Sequence, residues 1–346
     1  MYKIILFLLY VVSLQASSDY RVLFENKRIV ITGGTGFIGR ALIERILSYN
    51  PAKLIVFSRD EVKHFKLMQD FNNHPALVSV IGDVRSYEAI YDATKGADIV
   101  IHAAALKRID MLEYHISESI QTNTIGAYNV ARACHENKVA KCLLVSTDKA
   151  CMPINAYGAC KFLAEKVFTN RLDNYGSQTT FLVVRYGNVL QSTGSVIPFF
   201  CEKIKVHQKI PLTDERMTRF FISKKQAVDL IFNALLYGKS GELFVPELPA
   251  FKIIDLIEVL QEKLGIKTEI EVVGLRPGEK IHEAMISSVE APRVRKFDGM
   301  FIISPTINAQ TSVEHQLAFI SEYTSEEPIY SQAELKELLE KFEIVL

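Results

Sequence analysis

A glycine-rich turn does most to limit what this chain folds into. Thr32-Gly33-Gly34-Thr35-Gly36-Phe37-Ile38-Gly39 follows the β-branched run Arg28–Thr32 and opens a helical stretch, Gly36–Leu47. In such a strand–turn–helix unit Gly33 permits a tight turn, Gly36 lets the backbone approach a pyrophosphate, and Gly39 lets the helix pack closely. The phosphates of a dinucleotide then sit at the helix N-terminus, where free N–H groups and the dipole favour anions. The turn therefore predicts dinucleotide binding by Gly33, Thr35, Gly36, Phe37, Ile38 and Gly39.

The surrounding pattern agrees. Short runs at Arg28–Thr32, Lys53–Phe57, Leu77–Ile81, Asp98–His102, Lys141–Ser146 and Phe181–Arg185 alternate with longer helical stretches such as Ser117–Asn137. Most of the runs are continuously apolar, which means that both faces are buried. The expectation is an α/β fold, a Rossmann-type doubly wound parallel sheet with a smaller C-terminal substrate lobe. Past Arg185 the strand–helix beat stops. The predicted domains are a dinucleotide-binding domain over 27–189, with a return segment near 220–246 that includes Glu242-Leu243-Phe244-Val245, and a substrate-binding lobe with a C-terminal helix over 190–346. In that helix Ser331 and Glu334 form a capping-box pair, and Leu335, Leu338, Leu339 and Phe342 share one face, which reads as core packing. At 346 residues, 49% of them hydrophobic, the chain has the apolar content for such a core. Its formal net charge of zero argues against a nucleic-acid surface but suits an anionic small molecule.

The strand ends refine the cofactor. An NAD site holds its ribose hydroxyls with an acid at the end of the second strand. Here that strand ends Phe57-Ser58-Arg59, and Ser58 with Arg59 suits the 2′-phosphate of NADP; Asp60 next door keeps NAD as the alternative. Farther on, Tyr157-Gly158-Ala159-Cys160-Lys161 sets a phenol and an ammonium four apart, on one helix face. A free tyrosine titrates near ~10, so a phenolate at neutral pH needs a shift of ~3 units, or roughly 4 kcal/mol. Lys161 and a cationic nicotinamide ring are the expected sources. Tyr157 then takes a proton from a sugar hydroxyl as hydride leaves carbon.

Gly33, Gly36 and Gly39 with Tyr157 and Lys161 resemble the extended short-chain dehydrogenase/reductase superfamily. The resemblance implies that Asp83 and Val84, in Gly82-Asp83-Val84, lie at the adenine, that Ala103 and Ala104 lie under the cofactor, and that Asn123 is the active site's structural asparagine. Within that superfamily Ser146-Thr147-Asp148-Lys149, Pro153-Ile154-Asn155, Ala104-Ala105-Leu106-Lys107 and Arg185-Tyr186-Gly187-Asn188-Val189 resemble the inverting UDP-N-acetylglucosamine 4,6-dehydratases. So do Pro198-Phe199-Phe200, Met217-Thr218-Arg219-Phe220 and Arg276-Pro277-Gly278-Glu279-Lys280, and the likeness runs from Lys27 to Ile286.

The resemblance implies NADP as cofactor, UDP-N-acetylglucosamine or a close UDP-sugar as substrate, a homo-oligomer, and a product destined for bacterial surface glycans. It assigns Lys149 as the base at carbon 5, Asp148 as the acid that expels the carbon 6 hydroxyl, and Tyr157 as the group at the carbon 4 hydroxyl, with Thr147 and Lys161 completing the catalytic set. Lys107, Asn188, Val196, Arg219, Arg276 and Glu279 become sugar-nucleotide contacts, Lys107 also touching the cofactor. A base lysine must be neutral when it acts, so Lys149 is expected to have a depressed pKa through burial or through Lys161 nearby. Cys151-Met152 and Cys160 depart from the family and are expected near the substrate. Two alternatives stand beside this reading. A UDP-N-acetylhexosamine 4- or 5-epimerase of the same fold would leave Asp148 and Lys149 as spectators. A non-catalytic NADP-binding scaffold or sensor would have little need of Tyr157 and Lys161.

The first 26 residues are set apart as an extension. Lys3, the apolar run Ile4–Leu14 and Gln15-Ala16-Ser17-Ser18 have the layout of a secretory signal, yet the run is short for a membrane span, which needs ~20 apolar residues. The fold is expected to need nothing before Glu25. NADP and UDP-sugar pools, with five cysteines that show no CxxC spacing, favour a cytoplasmic protein with free thiols. His282-Glu283 gives no metal pattern, and His102 reads as a satisfied strand-end residue.

Overall fold

The computed structural model describes residues 20–171, 177–190, 192, 195–306, 321–327 and 329–342, so the apolar run Ile4–Leu14 lies outside the described residues. Six strands fall within a residue of their predicted limits: β1 Arg28–Thr32, β2 Lys53–Ser58, β3 Leu77–Ile81, β4 Ile99–His102, β5 Lys141–Val145 and β6 Thr180–Val184. They pair in parallel in the order β3-β2-β1-β4-β5-β6. The inner strands are continuously apolar because both faces are covered. In β3, at the edge, only Leu77 is buried.

The sheet continues past β6. Leu243–Pro246, from the expected return segment, adds in parallel, and Met300–Ile303 and then Val294–Phe297 follow antiparallel. This last hairpin was not foreseen, although its signal is in the sequence. Asp298-Gly299 joins its strands, and both residues have positive φ, 45° and 70°, as a two-residue hairpin turn requires.

One apolar cluster fills both faces of this sheet. A second gathers Leu190, Ile197, Phe200, Ile257 and Leu260 with Leu335 and Leu339 of the capped helix Gln332–Lys341. No helix among the described residues is long and apolar enough to cross a membrane. The predicted helix Ser117–Asn137 is interrupted. Ile120–Ile125 widens into a π-helical turn before the α-helix Gly126–Glu136 resumes. Such turns often mark functional sites, and this one carries Asn123.

The expected start near Glu25 is corrected by the packing. Tyr20, Leu23 and Phe24 are buried in the main core. The Phe24 ring lies 4.5 Å from that of Phe232 and 5.8 Å from that of Tyr49, and the Tyr20 hydroxyl donates to Asn233 Oδ1 at 2.5 Å. Phe24→Ala is therefore expected to lower stability by about 3–5 kcal/mol in urea denaturation; a loss under about 1 kcal/mol would mean that this aromatic cluster is dispensable.

Candidate active site

Strand order reverses between β1 and β4, and a cleft of about 700 Å³ opens beyond the carboxyl ends of the strands. The glycine-rich turn forms one wall. Gly33 has φ +69°, and a Cβ there would lie 2.7 Å from the Ala104 backbone. At Gly39 a Cβ would lie 2.5 Å from the Gly34 backbone, so it is the turn itself that needs this glycine. The helix Phe37–Leu47 begins at Gly36 without a side-chain cap. Its first N–H groups therefore suit an anion. Gly33, Thr35, Gly36, Phe37, Ile38 and Gly39 all line the cleft.

Ser58, Arg59, Asp83, Val84, Ala103 and Ala104 also line it. Ser58 Oγ lies 3.0 Å from Thr35 Oγ1 and 2.8 Å from His64 Nε2. Arg59, nearly half exposed, sits 3.7 Å from Asp83 Oδ2. Burial works to raise the Asp83 pKa, but Arg85 and Arg59 outweigh it and hold the carboxyl below its ordinary range. Asp60 is engaged elsewhere: it caps the helix Glu61–Asp70 by accepting from Lys63 N at 3.0 Å. These features fit a dinucleotide with its phosphates on the turn and its ribose end near Arg59.

The loop after β5 and the helix Ala156–Lys166 form the facing wall. Thr147 Oγ1 donates to Asp148 Oδ1 at 2.9 Å. Lys149 Nζ donates to the same oxygen at 2.9 Å and lies 3.4 Å from Glu283 Oε1 and 3.5 Å from Asn188 Oδ1. Thr147, Lys149, Tyr157 and Lys161 reach the cleft, whereas Asp148 is fully buried behind them, its Oδ2 without a hydrogen-bond partner. Asn155 caps the helix by accepting from Gly158 N at 2.7 Å and donates to Gly278 O at 2.8 Å. The helix that carries Tyr157 is thereby tied to the loop that carries Arg276 and Glu279. Asn123 accepts from Leu106 N and donates to Leu106 O, which fixes the segment leading to Lys107. Lys107, Asn188, Val196, Arg276 and Glu279 line the cleft.

Several expectations need correction. Lys149 is not depressed. Burial alone would lower it, but Asp148 and Glu283 outweigh burial and hold the ammonium charged. Nor is Lys161 the cation that acts on Tyr157. Burial pushes the phenol up to about 12, the Lys149 ammonium pulls it down and Asp148 pushes it up. Lys161 Nζ instead donates to Val145 O at 2.8 Å, and burial, opposed by Glu165, brings it down to about 8. Arg219 does not reach the cleft: its guanidinium donates to the carbonyls of Thr218, Lys280 and Ile281 at 2.6–3.0 Å. Cys151 and Cys160 are buried away from the cleft, Cys151 turning its thiol towards Glu290. His102 is only half satisfied. Its Nδ1 meets Thr32 Oγ1 at 2.6 Å, its Nε2 has no partner, and burial with Lys161 pushes its pKa down to about 3.

Two features escaped the sequence reading. Glu283, considered only as a metal ligand beside His282, is a buried carboxylate in contact with Lys149. Arg185 donates to the buried Glu165 and Met285 O and to the partly buried Glu290, and so bolts β6 to the helix of Tyr157.

The family described as polysaccharide biosynthesis protein matches residues 29–305. An inverting UDP-N-acetylglucosamine 4,6-dehydratase of Campylobacter jejuni is 44% identical over 288 residues, 82% of this chain and 85% of its own. A UDP-glucose 4-epimerase of Rickettsia bellii is 41% identical over 329 residues, 92% of this chain and 96% of its own. Among solved structures, Pen from Bacillus thuringiensis superposes with a TM-score of 0.87 at 36% identity, covering 93% of this chain and 99% of its own. DesIV, a dTDP-glucose 4,6-dehydratase from Streptomyces venezuelae solved with NAD, superposes with a TM-score of 0.67 at 22% identity over 73% of this chain and 86% of its own, which speaks for the fold alone.

The depressed Lys161 has a consequence for stability. An unfolded lysine titrates near 10.5 and the folded one at about 8. Between those values the unfolded chain holds a proton that the native state has released, so native stability rises with pH across that window, and the cost of the buried ammonium is greatest below it. The stability difference between Lys161→Met and the parent should move against the variant by roughly 2–3 kcal/mol from about pH 7 to about pH 10, measured by urea denaturation. A difference that stays constant with pH would contradict a buried, depressed lysine.

Proposed function

The chain belongs to the polysaccharide biosynthesis protein family and is an extended short-chain dehydrogenase/reductase, and on that footing we propose that it is an NADP-dependent UDP-N-acetylglucosamine 4,6-dehydratase that inverts carbon 5. The observation that carries the reading is the hydrogen-bonded Asp148–Lys149 pair, 2.9 Å from Oδ1 to Nζ, with Lys149 and Tyr157 both at the cleft. Taking two charges out of water is costly, and their mutual attraction often fails to offset it, which favours a chemical role for the pair over a stabilising one.

NADP, when bound, supplies the hydride acceptor at carbon 4 and the donor at carbon 6. Tyr157 first releases its own proton to solvent through the open cleft, a loss that burial opposes and the Lys149 ammonium assists, and the phenolate then takes the proton of the carbon 4 hydroxyl. The ketone at carbon 4 makes the carbon 5 proton acidic. One proton passed from Lys149 Nζ to Asp148 Oδ1 along their hydrogen bond turns the ion pair into a neutral amine and a neutral acid. The amine takes the proton from carbon 5. The acid's proton reaches the carbon 6 hydroxyl through the Thr147 hydroxyl, which bridges Asp148 to the cleft, and water leaves as the carbon 5–carbon 6 double bond forms. The ion pair is restored by the same step. Return of hydride to carbon 6 would then be accompanied by a proton delivered from solvent to the other face of carbon 5, which inverts it and gives a UDP-4-keto-6-deoxy-L-arabino-hexulose for surface glycan synthesis.

Arg59 and Ser58 support NADP over NAD, because Asp60, the acid a ribose would use, is engaged in helix capping. The planar fork of Arg276 suits a diphosphate, with Lys107, Asn188, Val196 and Glu279 around the sugar. These substrate and cofactor pools assign the enzyme to the cytoplasm. The relatives named UDP-glucose 4-epimerase favour a second reading, a 4-epimerase of the same fold.

Proton NMR of the enzyme with UDP-N-acetylglucosamine in deuterated water separates the two. The proposal predicts a new 6-deoxy methyl signal on a 4-keto sugar of L-arabino configuration. Retention at carbon 5 would refute inversion, and a 4-epimer with carbon 6 intact would refute the dehydratase.

A further inference from the structure

Glu283 is 3% exposed, does not line the cleft, and lies among three cations. Its Oε1 is 3.4 Å from Lys149 Nζ and 3.9 Å from Arg219 Nε, and its Oε2 is 3.8 Å from Lys280 Nζ without a hydrogen bond of its own. The backbone beneath it is pinned. Glu283 N donates to Ser325 Oγ at 2.9 Å, and Ser325 N donates back to Glu283 O at 2.7 Å. It directly precedes the strand Ala284–Ile286, which packs on the Asp148–Ala150 turn.

We propose that Glu283 is a positioning residue of this site: it holds the Lys149 ammonium from behind the cleft wall and sets how firmly Lys149 keeps its proton. The inference rests on reading Asp148 and Lys149 as the elimination pair.

Lys149 faces Asp148 on its own loop, Glu283 on the neighbouring segment, the amide of Asn188, and, at longer range, Arg219 and Tyr157. Asp148 cannot be both the sole anchor of the ammonium and the group that receives its proton, because the moment it is protonated the attraction is gone. A second carboxylate removes that conflict. Glu283 stays charged while Asp148 changes state. Burial works to raise the Glu283 pKa, but Lys149, Arg219 and Lys280 outweigh it and keep the carboxyl below its ordinary range. Arg219, which is turned away from the substrate, thus acts as a fixed counter-charge. Of the other charges nearby, Glu165 and Glu290 are claimed by Arg185, and His282 is turned to Thr218 Oγ1 at 2.8 Å.

The test compares full-length parent, Glu283→Gln and Glu283→Asp, with the Lys149 resonance in carbon-13 lysine spectra identified by its loss in Lys149→Arg. The titration midpoint of Lys149 should fall by about one to three units in Glu283→Gln and return most of the way in Glu283→Asp. In deuterated water with UDP-N-acetylglucosamine, the pH at which carbon 5 exchange levels off should fall by the same interval. An unmoved Lys149 midpoint in a Glu283→Gln protein whose melting temperature and NADP affinity match the parent would overturn the proposal. If Glu283→Gln fails to fold, Glu283→Ala, which also removes the carboxylate, decides the matter, and a Lys149 midpoint identical to the parent's in that variant counts against it. The titration needs no turnover, so its failure is distinct from failure of the dehydratase reading, which the parent's product spectrum decides.

Discussion

Everything proposed for this site depends on how a desolvated ammonium is neutralised. Lys149 stands between Asp148 and Glu283, and Arg219 and Lys280 neutralise Glu283 in turn. Asp148, Glu283 and Arg219 are buried and the two lysines largely so, and charges so far out of water must be matched by others. The arrangement leaves Lys149 as the one cation of the three that meets the cleft. A cation held there lowers the barrier to ionising Tyr157. The same cation, once its proton passes to Asp148, becomes a base. In the proposed function, oxidation and elimination therefore draw on one lysine in two protonation states.

The fold supplies the fixed geometry that such close-set charges need. The parallel sheet brings the carboxyl ends of β1, β4, β5 and β6 to one crevice. Two polar ties then hold the facing wall. Arg185 links β6 with Glu165 on the helix of Tyr157 and with Glu290, while Asn155 links the start of that helix to Gly278. The loop of Arg276 and Glu279 is thus tied to the N-terminus of the helix that carries Tyr157, and Glu283 lies only a few residues farther along the same segment.

Most of the sheet was legible in the sequence, because buried parallel strands are runs of β-branched and aliphatic residues separated by helical stretches. The glycine turn was legible for a steric reason that the structure bears out at Gly33; Gly39 is needed too, but because a Cβ there would strike the Gly34 backbone of the turn itself, and not for close helix packing. The motif residues Thr147, Lys149 and Tyr157 meet at one wall, as their order on strand end and helix start implied. What the sequence did not disclose was long-range. Arg219 and Arg276 look alike in a motif, yet one donates to three carbonyls and the other lines the cleft. Glu283 stands 134 positions after Lys149, and nothing local announces that the two will touch. The direction of the Lys149 pKa followed from that contact, so it was misjudged with it. The Asp298-Gly299 hairpin, by contrast, carried a local signal.

The central claim is that one lysine serves oxidation as a charge and elimination as a base. Lys149→Arg separates the two roles, since arginine keeps the charge and does not deprotonate at working pH. Mixed with UDP-N-acetylglucosamine in deuterated water, that variant is predicted to reduce its bound nicotinamide, seen by absorbance, while no deuterium enters carbon 5 and no 6-deoxy methyl forms. Deuterium entering carbon 5 at the parent's rate would show that the base is some other group, and the account of this site would be wrong.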